Sequence, residues 1–254
     1  MIIKGQIIHQ LKKISREIFE TLPDKNKLIE DNGRLVITYP GGKRFISLGS
    51  MIFYAEFKID LVVVIEYEAI ERFVYRYPDI FELVGPTQSY THILAQNNVE
   101  DSIDIKYLDH GRLKFACTTQ GLNDLRTYGR EVLCDLILPL AEKMRDVRCL
   151  DTHFNSKRYF GPKNVSYRPH GRKQADQIKR VVISKLAGSD NWKWLLEDLE
   201  ANVVKYRAMI GTKEGRGLEK YNELPPIIEE FKEYIQELQP LKNPDLFSEE
   251  NIIT

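Results

Sequence analysis

The densest concentration of residues able to do chemistry lies between positions 143 and 180, where eleven basic and three acidic side chains give a local charge of +8. The flanks are acidic: residues 1–142 hold 17 basic and 20 acidic side chains, residues 181–254 hold 9 and 14, and the 254-residue chain is formally neutral. Within the basic stretch Lys157, Arg158, Lys163, Arg168, Arg172, Lys173, Lys179 and Arg180 are interleaved with Phe154, Tyr159, Phe160 and Tyr167. Cations neutralise phosphates and aromatic faces stack on bases, so this mixture suits nucleic acid. It equally complements an acidic protein surface, and a charged loop whose aromatics plug a gap between subdomains has the same composition.

Cys149, Asp151 and His153 place a thiol, a carboxylate and an imidazole within five residues. On an extended segment they share a face, but the rise per residue puts Cys149 about 13 Å from His153, too far for a thiol and its base. No further Cys or His spacing completes a metal shell, and neither metal nor cofactor is expected. Cys117 and Cys134 fall on apolar faces, where inert buried thiols are the ordinary reading. His9, His92, His110 and His170 share no motif. Gly211–Gly217 is glycine-rich and cationic but lacks the spacing of a phosphate-binding loop and follows a helix, and no Gly-x-Gly-x-x-Gly opens a strand–helix unit. Glu66 and Glu68 flank Tyr67 without a third ligand, which reads as a strand ending in solvent. Trp192 and Trp194 cannot both face the core of one helix, so one of them is available to a partner.

The elements that must position these residues follow from periodicity. Apolar residues from Ile3 to Leu22 recur at three- and four-residue spacing, predicting a helix that ends before Pro23. Leu35, Ile37 and Tyr39 alternate, Pro40-Gly41-Gly42 turns, and Lys43 to Leu48 runs back as a hairpin. Every odd position from Phe53 to Tyr67 is apolar, the pattern of a strand, with a bend expected near Asp60 and burial on both faces expected at Val62 and Val64. A short helix runs to Pro78, and residues 79–100 read as loop. A second hairpin is predicted over 103–117, then a long helix from Leu122 to Met144 with Thr118, Thr119 or Asn123 as cap and a kink at Pro139. Beyond the basic segment three helices are predicted, at 172–187, 190–210 and 225–238.

These readings define an α+β protein: an N-terminal antiparallel sheet covered by helices, then an all-helical C-terminal half. The expected organisation is an α+β domain at 1–147, a basic aromatic loop or linker at 148–171, a helical domain at 172–239 and a loose tail at 240–254. Three cysteines are too few for a disulfide framework, the polar opening residues do not read as a secretory peptide, and no stretch approaches a membrane span, so a cytoplasmic setting is expected. With no catalytic signature, the function expected is a non-catalytic protein-binding module of the accessory or toxin-neutralising type. The alternative is a nucleic-acid-binding or nucleic-acid-processing protein using residues 154–180, in which Lys157, Arg158, Lys163, Arg168, Arg172 and Lys173 hold the polyanion and Tyr159, Phe160 and Tyr167 make aromatic contacts.

Overall fold

The computed structural model describes residues 4–22, 28–31, 34–76, 92–95, 108–109, 112–155, 173–210 and 224–251. The fold is α+β as expected, with an antiparallel sheet in the first half and helices after it. The chain divides into two compact units, one of Met1–Ile65 and His92–Lys143, the other of Glu66–Thr91 and Met144–Thr254.

The first unit opens with helix α1 (Lys4–Glu20), whose Ile7, Leu11, Ile14 and Ile18 are buried at the predicted spacing. Strands β1 (Leu28–Asp31), β2 (Arg34–Tyr39), β3 (Gly42–Ile52) and β4 (Glu56–Tyr67) follow, then β5 (His92–Ala95), β6 (Leu108–Asp109) and β7 (Arg112–Ala116). The sheet order is β1-β2-β3-β4-β7-β6, and β4 pairs antiparallel with β7 over Glu56–Ile59 and with β5 over Val62–Ile65. In β4, Phe57, Ile59, Leu61, Val63, Ile65 and Tyr67 are all fully buried. The expected break at Asp60 is absent, and Val62 and Val64 are only half-buried, because the alternation persists to the end of the strand. The strand starts at Glu56 rather than Phe53, since Phe53 turns the chain by donating its amide to the Glu56 carbonyl, 2.8 Å away. Residues 92–95, read from sequence as loop, form β5 because they continue the ladder on β4. The expected second hairpin is present as the β6–β7 pair, and residues 103–107 lie outside the described residues.

Helix α3 follows β7 in four consecutive segments: Thr119–Asp124 is α, Leu125–Gly129 and Val132–Ile137 are π, and Leu138–Lys143 is α. Thr118 is its cap, accepting from the Gly121 amide at 3.1 Å. A Cβ on Gly121 would stand 2.2 Å from the Ala116 carbonyl oxygen, so only glycine lets the helix start this close beneath the strand. The strain expected as a kink at Pro139 is met by the π stretch immediately before it. Proline lacks the amide for the bond to residue i−4 and collides with that carbonyl, and the wider turn removes the conflict.

The second unit contains α2 (Glu68–Arg76), α4 (Val147–Asn155), α5 (Lys173–Leu186), α6 (Asn191–Ile210) and α7 (Leu224–Glu237). The start of the segment expected to be a linker is therefore helix: Val147, Leu150, Asp151 and Phe154 recur at helical spacing and are buried, whereas the Gly and Pro residues that suggested a loop begin at Gly161. Residues expected in a loose tail include the buried Leu246 and Phe247. Phe247 packs on the Tyr67 ring at 4.9 Å, and the Tyr67 hydroxyl donates to the Met144 carbonyl at 2.8 Å. Arg145 pairs with Asp245 at 2.6 Å, and Asn251 donates to the carbonyls of Asn243 and Asp245, satisfying the backbone of the turn that carries these residues. Among the described residues no helix is long and apolar enough to cross a membrane.

Candidate functional site

The six basic side chains singled out from sequence are not brought into view as a cluster. Lys157, Arg158, Lys163, Arg168 and Arg172, with Tyr159, Phe160 and Tyr167, lie outside the described residues, and Lys173 is placed only as the first residue of α5. Two further cations of the stretch are placed, and both are committed to the interior of the second unit. Lys179 pairs with Glu71 of α2 at 2.9 Å, with the two side chains 12% and 1% exposed. Arg180 donates to Asn155 at 2.9 Å, and Asn155 donates in turn to the buried Asp151. A buried pair of this kind holds helices in register and is a poor phosphate ligand, because releasing either partner leaves a desolvated charge.

Cys149, Asp151 and His153 sit on α4, not on an extended segment. Helical spacing brings Cys149 and His153 onto adjacent turns, about 5–6 Å apart at Cβ, and turns Asp151 away from them into its bond with Asn155. Among the described residues no group of three or more His, Cys, Asp or Glu can hold a metal ion. Gly211–Gly217 and His170 lie outside the described residues. Of the two tryptophans, Trp194 is the exposed one at 37%, while Trp192 lies beneath Lys185, whose ammonium is 4.1 Å from its ring centre.

Two surfaces of the first unit stand out instead. The first is the turn between β3 and β4. Met51, Phe53 and Tyr54 are 44%, 45% and 86% exposed, although large apolar side chains are the costliest to leave in water. Charged residues contact two of them: Lys58 lies 5.8 Å from the centre of the Phe53 ring, and Arg112 reaches Met51 Sδ at 2.7 Å while pairing with Asp60 at 3.0 Å. Lys114 pairs with Glu56 beside them at 2.8 Å.

The second is a cavity of about 650 Å³ bounded by the end of α1, strands β2 and β3, and the length of α3. Leu22, Ile37 and Ile46 form a buried apolar floor. Arg44, only 2% exposed, closes one side and pairs with Glu142 of α3, with the Tyr39 ring 5.4 Å away. Two rows from α3 complete the lining: Arg126, Arg130, Cys134, Leu138 and Glu142, and beside it Thr127, Glu131, Asp135 and Pro139. Every step in both rows is four residues. An α-helix turns 100° per residue, so an uninterrupted one would carry Glu142 about 160° around from Arg126. The π stretches turn less per residue and cancel this drift, which is why residues sixteen apart share one face. Sequence reasoning placed this helix by periodicity and passed over its charged row. The signal was present as the repeat of four from Arg126 to Glu142, a period that no uniform α-helix keeps on one side.

Burial pushes the Cys134 thiol up, and its contacts with Thr21 and Arg130 only partly oppose that. The thiol therefore stays protonated at neutral pH. Burial, reinforced by the charge of Glu56, likewise pushes Cys117 up. No protein-family model matches the chain, and comparison with curated proteins and with solved structures finds no match.

Proposed function

We propose that this chain is a non-catalytic protein-binding module of the accessory or toxin-neutralising kind, acting in the cytoplasm, and that it meets its partner through the β3–β4 turn. The observation that carries this reading is the exposure of Tyr54, 86%, beside Phe53 and Met51, on a turn braced by Arg112 and Lys58. Tyrosine, phenylalanine, methionine and arginine are the residues enriched where interfaces derive their energy, and a pre-positioned aromatic loses little side-chain entropy on docking. Three free cysteines support a reducing setting.

The test is affinity capture from the source cell after nuclease treatment, comparing wild type with the double variant Phe53→Ser, Tyr54→Ser. A stoichiometric protein retained by wild type and lost by the variant is the expected outcome, with affinity reduced at least roughly 30-fold for anchors of about 2 kcal/mol. The same protein recovered equally with both would remove the turn from the interface. Co-purifying nucleic acid, or partners lost on nuclease treatment, would transfer the function to residues 154–180.

A further inference from the structure

We infer that the cavity of the first unit is a binding site for a small organic anion with an apolar body, a carboxylate or phosphate head joined to a hydrocarbon chain. Three observations converge on it. The volume, about 650 Å³, is that of a small-molecule site. Its floor of Leu22, Ile37 and Ile46, continued by Leu138, offers apolar surface to a ligand body. At one end of the charged row Arg126 and Arg130 stand one four-residue step apart, and they differ in what they already hold. Arg126 is paired with Glu17 at 2.7 Å and with Asn123. Arg130 is exposed, contacts the Cys134 thiol, and among the described residues pairs with no carboxylate. A planar guanidinium lining the same cavity as the apolar floor, with the Glu17-paired Arg126 one step away, matches the head of such an anion and can bind it with two parallel hydrogen bonds.

The unwound geometry of α3 belongs to the same inference. A uniform α-helix, with its tighter hydrogen-bond ladder, would swing Leu138 and Glu142 off the face that carries Arg126 and Arg130. The π stretches keep the cationic head site and the apolar wall in one cavity, and such stretches concentrate at functional sites.

Octyl phosphate serves as the probe and octylammonium, the same chain with opposite charge, as its control. Calorimetry on the full chain should show saturable one-to-one binding of octyl phosphate and none of comparable strength for octylammonium. Arg130→Gln, at an exposed position, should fold and melt as wild type and weaken octyl phosphate at least roughly tenfold, since a neutral amide replaces the charged two-pronged contact. Location is read from alkylation by iodoacetamide in mildly alkaline buffer. Octyl phosphate should slow modification of Cys134 while leaving Cys149, in the other unit, unchanged. Equal binding of the two probes, an Arg130→Gln affinity equal to wild type, or alkylation of both cysteines altered alike would each overturn the inference.

Discussion

Among the described residues each unit holds a long cation in an ion pair with most of its surface covered, and the two are treated differently. In the second unit Lys179, 12% exposed, is paired with a glutamate more deeply buried than itself, Glu71, so the charge is cancelled largely out of reach of solvent and joins α2 to α5. In the first unit Arg44 is only 2% exposed, yet its partner Glu142 has a side chain 46% exposed on a cavity wall. A buried ion pair costs several kcal/mol of desolvation per charge and gains most of it back only when both members are held. The first arrangement specifies packing alone. The second leaves a charge pair in contact with a space that water or a ligand can enter.

The comparison can be broken most sharply at Glu71. Glu71→Ala strands the Lys179 ammonium in the interior, and the expected loss is about 3–5 kcal/mol in urea unfolding followed by circular dichroism. A loss under about 1 kcal/mol would mean that the pair contributes little to the second unit. Glu142→Ala should cost less, about 1–2 kcal/mol, because water entering the cavity can solvate the Arg44 guanidinium. Equal losses at the two sites would erase the distinction between the two ion pairs.

The smallest expected effect concerns Asp245 and sharpens the picture of the second unit. Burial pushes the Asp245 carboxyl up, but hydrogen bonds from Arg145 and from the Phe247 amide, with the Arg145 charge, outweigh it and hold the group below its ordinary value of 3.8. A carboxylate whose pKa is lower in the folded state than in the unfolded one stabilises the fold above its unfolded value. That contribution disappears as the pH falls through the folded value, so the window of change lies below about pH 4. Carboxyl NMR titration should place Asp245 below exposed aspartates in wild type and move it upward in Arg145→Gln. No movement would show that Arg145 is not the group holding it down.

Much of the architecture was legible because periodicity reports burial directly. The odd positions of β4 are its buried face, and the predicted helices at 172–187, 190–210 and 225–238 match α5, α6 and α7 within two residues at each end. Errors arose where a local pattern was short or averaged with its neighbours. Helix α4 was hidden because its nine residues were read together with the glycines and prolines that follow. Leu246 and Phe247 are only two apolar residues, too few for a period, and their burial depends on Tyr67, far away in sequence. The candidate sites were the least legible part. The cavity joins Leu22, Arg44 and Arg130 from three distant segments, and nothing in the local sequence of any one of them announces the others. The exposure of Tyr54 was equally invisible, since its neighbours continue the alternation of a strand that in fact begins two residues later.

The two π stretches also decide which kinds of genetic change can remodel the first unit. Substitutions along α3 alter one side chain at a time and leave the shared face intact. Loss of a single codon within Leu125–Gly129 would instead let a wide turn close as an ordinary α turn, so that the downstream Cys134, Leu138 and Glu142 keep close to their present direction while the π geometry is lost. The register of this helix is therefore carried by two wide turns, each of which can give up one residue and close as α.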